Sequence, residues 1–104
     1  MRFMMKVVFP VETGNAAAKA GNLGQTIQKI LEELKPESVY FTTLDGGYRG
    51  GYIYFNMDDA SQIPAIAEPW FLAFNATVDI RPVMLPEDLA KASGSIQSAV
   101  DKYS

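Results

Sequence analysis

Stretches of alternating or nearly continuous apolar residues in this chain are separated by segments whose apolar residues recur at helical spacing. Phe3 to Phe9 is nearly apolar on both faces: Met4, Lys6 and Val8 interleave with Phe3, Met5, Val7 and Phe9, which predicts a strand ended by Pro10. Ala16, Ala20, Leu23, Ile27, Ile30, Leu31 and Leu34 then predict one helix, capped by Thr13 or Asn15 and closed by Pro36. The β-branched and aromatic run Ser38 to Leu44 is a second strand. Asp45, Gly46 and Gly47 supply a hairpin turn, and a third strand follows from Gly50 to Met57.

Asp58 and Asp59 lack the spacing of a calcium loop and suit a helix cap, so a short helix is expected over Ala60 to Ala67, with Pro64 in its first turn. "PWFLAFN" reads as an apolar connector, and Thr77 to Met84 as strand four. Pro86, Glu87 and Asp88 suit a helix start. Leu89, Ala92, Ile96, Ala99, Val100 and Tyr103 give that last helix an apolar stripe, which Gly94 weakens by about 1 kcal/mol relative to Ala. The order β-α-β-β-α-β plus a C-terminal helix is the ferredoxin-like, split βαβ plan of the α+β class, in one domain over residues 1–104.

In this plan one sheet face meets the helices. Phe3, Met5, Val7, Phe9, Ile53, Phe55, Val78, Ile80 and Met84 are assigned there by their apolar character. The second face carries Arg2, Met4, Lys6, Val8, Tyr52, Tyr54, Asn56, Thr77, Asp79 and Arg81. Strand two is ambiguous, because Val39 and Phe41 compete with Tyr40 and Leu44. The second face is too apolar for plain solvent surface, so it calls for a partner or ligand. Stacked single-stranded RNA is one cover, with Tyr52 and Tyr54 as platforms and Arg49 for phosphate, but "RGGYIYF" is a defective match to the recognition-motif strand. A second copy of the same sheet is the other, with an Asp79–Arg81 pair expected across the seam, and this homodimer is preferred.

The pattern of strand, long helix, "DGGYRGGYIYF" hairpin and "AEPWFLAFNATVDIRPVMLPEDL" resembles the dimeric α+β barrel superfamily, including muconolactone isomerase-like members. That superfamily also includes cofactor-free monooxygenases and haem-degrading enzymes. The resemblance implies a small homodimer and, as an enzyme alternative, a cofactor-independent monooxygenase or isomerase of a small cyclic substrate. Its motifs carry over no catalytic residue.

Composition narrows the chemistry. With no Cys and no His, the chain has no thiolate nucleophile, histidine base or histidine-ligated haem or zinc. No metal or tightly bound cofactor is expected, and acid–base work would fall to Asp, Glu, Lys or Tyr. Nine basic residues against twelve acidic, a net charge of -3, and their scatter argue against nucleic acid and anionic membranes. A cytoplasmic setting is expected, since the N-terminus lacks a signal-peptide pattern; on that basis the Asn75-Ala76-Thr77 sequon is taken as chance.

The binding candidates are Arg49, Tyr52, Tyr54, Asn56 and Arg81, which suit an anionic aromatic or lactone-like molecule or a satisfied dimer seam. Trp70, Phe71 and Phe74, with Asn75 beside them, suit an apolar pocket or plain core. An isomerase would need a base such as a desolvated Asp79 or Glu68. Gly21 and Gly24 mark either a hollow under the helix, close packing, or an interruption near Gly21. "DGGYRGG" is no phosphate cradle, and Gly50 and Gly51 mark a bulge or a close backbone approach.

Overall fold

Residues 1–104 are described by a computed structural model. Strands β1 (Arg2–Val8), β2 (Ser38–Leu44), β3 (Tyr48–Asn56) and β4 (Thr77–Pro82) form one antiparallel sheet in the order β2-β3-β1-β4. Helices α1 (Val11–Ala20), α2 (Leu23–Leu34) and α3 (Ile63–Phe74) complete the body, and α4 (Pro86–Lys91) and α5 (Ser93–Tyr103) end the chain. The ferredoxin-like α+β plan read from the sequence is borne out.

Several boundaries differ, each for a local reason. The long helix is two helices, because Gly21 adopts φ 79° and ends α1, while Asn22 donates back to the Ala17 carbonyl at 3.1 Å. Neither Gly21 nor Gly24 is pressed by a neighbour, so of the readings offered for them the interruption holds. α1 starts at Val11, behind Pro10, with no side-chain cap from Thr13 or Asn15. Asp59 does cap. Its carboxylate accepts from the Ser61 N–H at 2.9 Å, and Gln62 Oε1 accepts from the Asp58 and Asp59 N–H groups at 2.8 and 3.2 Å. The capped turn is 3-10, over Ala60–Gln62. It runs on into α3, which absorbs "PWFLAF" despite Pro69, so the expected apolar connector is helix.

Register settles the faces, since residues opposite one another in an antiparallel pair share a side. Val39, Ile53, Met5 and Ile80 form one row, and Phe41, Gly51, Val7 and Val78 the next. These rows meet the helices, so Val39 and Phe41 are the helix-facing pair of strand two. Met5, Val7, Phe9, Ile53 and Phe55 are buried against Ile30, Trp70 and Phe74. Phe9 stacks on Phe74 and Trp70, with ring centroids 4.6 and 6.1 Å apart. Met84 lies beyond the end of β4 and is exposed, not in the core as its apolar character suggested.

The opposite face carries the rows Tyr40, Tyr52, Lys6, Asp79 and Ser38, Tyr54, Met4, Arg81. No helix covers it. α4 and α5 bury no residue and leave the body as an arm. The molecule measures 59 × 29 × 20 Å, and its radius of gyration is 17.3 Å, against about 13 Å for a compact chain of this length.

Candidate functional site

The glycine hairpin shapes the site from below. β3 enters through Gly50 and Gly51, where a side chain would strike the flanking strands: the Val7 carbonyl and Leu44 at Gly50, the Tyr40 carbonyl and Phe41 at Gly51. This is the close backbone approach that the paired glycines suggested. The absence of a side chain at Gly51 lets the Phe41 ring lie across β3 on the helix side. A cavity of about 200 Å³ opens there, between α2 and the sheet. Phe9, Leu23, Ile27 and Phe41 form its apolar walls, and Thr43 and Arg49 its polar end.

Arg49 is held from α1. Its Nη1 donates to Asn15 Oδ1 at 2.7 Å, and its backbone carbonyl accepts from the Phe9 N–H at 2.9 Å. Gly14 makes that approach possible, because a Cβ there would stand 3.0 Å from Arg49 Nη1. The ion pairs in the structure are Arg2–Glu37 and Arg81–Asp79, so no carboxylate neutralises Arg49. The result is an apolar slot with a positively charged, hydrogen-bonding rim.

The other candidates divide between different places. Tyr52 and Tyr54 lie half-buried on the open sheet face, with Asn56 and Arg81 more exposed. Tyr40 joins Tyr54 edge-on, their centroids 6.4 Å apart. The sheet therefore separates these residues from Arg49, which cannot serve as the phosphate contact of a base-stacking platform made by Tyr52 and Tyr54. Asp79 pairs with Arg81 of its own chain at 3.0 Å. Asp79 and Glu68 are both exposed, and neither lines the slot.

Trp70 and Phe74 are core, at 0% and 1% exposure, and Trp70 Nε1 is buried without a hydrogen-bond partner. Phe71 is partly exposed. Asn75 ends α3 at φ 52°, its N–H bonded to the Phe71 carbonyl at 2.9 Å, which is a backbone role.

Sequence reasoning missed Phe9, Phe41, Thr43 and Asn15 as site residues. Asn15 and Arg49 are 34 positions apart, and only the topology joins them. It also missed Glu37, which accepts from Arg2 Nε at 2.9 Å and from Asn56 Nδ2 at 2.8 Å at the sheet's end. The Arg2 guanidinium holds the Glu37 carboxyl below its ordinary range, helped by Asn56 and opposed by some desolvation. Arg2 is raised in turn, mainly by Glu37, with smaller contributions from Asp88 and Glu87 at the start of the arm. The Ser61 backbone N–H likewise lowers the Asp59 carboxyl. No group of three or more His, Cys, Asp or Glu side chains is gathered as a metal site.

Residues 1–97 match a domain of unknown function, DUF3303. The chain belongs to this family. No curated protein sequence matches it significantly. Among solved structures, the DUF3303 fold is similar to the 5-chloro-2-hydroxyhydroquinone dehydrochlorinase TftG of Burkholderia phenoliruptrix AC1100, solved in complex with 2,5-dihydroxybenzoquinone. The TM-score is 0.63 at 14% identity, over 85% of this chain and 98% of that one. A formyltetrahydrofolate deformylase from Pseudomonas putida KT2440 shares 13% identity at a TM-score of 0.49, over 80% of this chain and 29% of that one. At 14% identity the likeness to TftG establishes the fold alone, and that fold bears out the resemblance to the small α+β barrels. No helix of this DUF3303 domain is long and apolar enough to cross a membrane.

Proposed function

We propose that the protein is a homodimeric α+β barrel that binds a small monocyclic aromatic molecule carrying an anionic or strongly polar oxygen, in the slot between α2 and the sheet. The observation that carries this reading is Arg49, unneutralised by any carboxylate at the rim of an apolar cavity of about 200 Å³. A dry apolar cavity of about 150 Å³ admits benzene, so the slot suits one ring with small substituents. Phe9 and Phe41 would contact the ring, while Arg49 and Thr43 would meet its oxygen. No carboxylate lines the slot to act as a base, which favours binding over an isomerase or monooxygenase reaction. The dimer is proposed through the open face, where Met4, Val8, Tyr40, Tyr52 and Tyr54 present apolar and aromatic surface without a cover.

Calorimetric titration with benzoate and with 2,5-dihydroxybenzoquinone tests the slot; the second is the ligand of the TftG complex. Saturable binding is expected, weakened at least about tenfold in Arg49→Ala, because a hydrogen bond to a charged group contributes on the order of 1.5–3 kcal/mol. Arg49→Lys should retain part of it. Binding indifferent to Arg49→Ala, or no saturable binding of either probe, rejects the slot. Light scattering across a dilution series reads the sheet-face dimer separately. Read in an Ile96→Glu background, so that the exposed arm does not contribute, a mass twice that of the chain, halved by adding Tyr54→Glu, supports it, and a monomer rejects it.

A further inference from the structure

Besides the open sheet face, two apolar surfaces in this molecule lack a cover of their own, and they match. The first is the arm. Ala92, just before α5, and Ile96, Ala99, Val100 and Tyr103 within it recur at i, i+4, i+7, i+8 and i+11. Ile96, Val100 and Tyr103 are exposed, Tyr103 at 87%. An isolated helix shorter than about 12–15 residues is marginal in water, and its stability in a protein comes from packing its apolar face. The eleven residues of α5 bury nothing in their own chain.

The second surface is the groove between α2 and α3. Glu68 is the only charged residue among the twelve of α3, a composition proper to a helix covered all round. Yet only Ala67, Trp70 and Phe74 are fully buried, and Leu72 is 81% exposed. Pro69, Leu72 and Ala73 face Thr26, Lys29, Ile30 and Glu33 of α2 across an open cleft of about 380 Å³. That cleft continues along Leu34 and Ile66.

We propose that α5 of one molecule docks in the α2–α3 groove of a second copy, and that the two copies exchange arms reciprocally. The lengths agree, at about 16 Å for α5 and about 18 Å for α3 at 1.5 Å per residue. Charges of both signs border each surface and can be matched: Lys29 and Glu33 line the groove, and Asp101 and Lys102 sit beside the arm's stripe. An apolar helix face in a hydrophobic groove, with anchors at i, i+3 or i+4, and i+7, is a recurrent mode of recognition.

The junction argues against the arm folding back on its own body. Pro82 and Pro86 bracket the three residues that join β4 to α4, and each fixes its φ near -65°. The Val83 N–H bonds to the Arg2 carbonyl at 3.1 Å, and the Leu85 N–H donates to the Asp88 carboxylate at 2.8 Å. These restraints stiffen the junction, from which the arm projects outward in the elongated molecule. A reciprocal exchange is closed under two-fold symmetry and stops at a dimer. It does not rest on the sheet-face pairing.

The chain has no native cysteine, which makes the test direct. The variant Ala73→Cys/Ala99→Cys places one thiol in the groove and one on the arm, and is oxidised mildly at low micromolar concentration. Exchange predicts a covalent species of twice the 11.4 kDa chain mass on a non-reducing gel. Neither single variant should form it, and adding Ile96→Glu should lower its yield roughly tenfold or more, as expected for loss of an interface anchor. An internal disulfide at single-chain mass overturns the exchange in favour of fold-back. So does a doubled mass that Ile96→Glu leaves unchanged, or thiols that stay reduced while circular dichroism shows the wild-type fold.

Discussion

The body over residues 1–82 and the arm beyond it use similar apolar content to opposite ends. In the body, Met5, Val7, Ile53, Phe55, Trp70 and Phe74 are almost fully removed from water and pack in one cluster. In the arm, Leu89, Ile96, Val100 and Tyr103 are spaced with equal regularity, and every one is exposed. Periodicity says that a face is apolar; it does not say what covers it. The body's apolar residues find partners within the chain because four strands and three helices enclose them. Those of the arm must find theirs in another molecule.

The largest expected effect breaks the body. Trp70→Ala removes the ring stacked on Phe9 and Phe74, and should cost about 3–5 kcal/mol in chemical denaturation. Ile96→Ala, an equally regular apolar position on the arm, should change stability by less than about 0.5 kcal/mol when measured at concentrations too low for arms to exchange. Equal losses at the two positions would mean that the arm belongs to the body's core.

A smaller loss sharpens the account of the hairpin. Gly50→Ala forces a methyl group against the Val7 carbonyl and Leu44, and should cost on the order of 1–3 kcal/mol by the same denaturation. Gly14→Ala makes a contrast within the body. Its Cβ would press on the end of the flexible Arg49 side chain, while the helix gains the roughly 1 kcal/mol preference for Ala over Gly. Stability should hold or rise slightly while affinity for benzoate falls, since Arg49 must shift from its place at the slot. Unchanged affinity would show that Arg49 tolerates the shift or plays no part in binding.

The smallest effect is expected at the Arg2–Glu37 pair at the end of the sheet. Glu37 titrates below its ordinary range in the fold, chiefly through Arg2, so its contribution is fully present above the unfolded value of about 4.3. It is lost as pH falls through the lower folded value. Glu37→Gln should therefore be less stable than wild type at neutral pH, and the gap should close on acidification below the ordinary carboxylate range. The half-exposed positions of both partners keep the gap small. A gap that persists in strong acid would assign the loss to the Asn56 contact rather than to the charge.

Much of the fold was legible along the chain. Alternation in "SVYFTTL" and "YIYFN" marked strands, Asp45-Gly46-Gly47 marked the turn, and Asp58-Asp59 marked a cap. Legibility failed where a local signal met a tertiary need. "PWFLAF" read as an apolar connector but is helix: Pro69 opposes a helix, and burying Trp70 and Phe74 against Phe9 outweighs that cost. The candidate site was legible only in part. Arg49 stood out beside the glycines, whereas Phe41 and Thr43 were hidden in a strand whose two faces were equally apolar.

The sequence by itself determined the number and order of strands, the hairpin and the exclusion of cysteine and histidine chemistry, because these depend on residue identity and near-neighbour spacing. Tertiary structure alone decided which face of β2 looks inward, since a slip of one residue in register exchanges the faces of a strand. It also brought Asn15 to Arg49 across 34 positions and left α5 without a partner in its own chain. Those outcomes depend on which surfaces meet in space, and spacing along one chain carries no record of that.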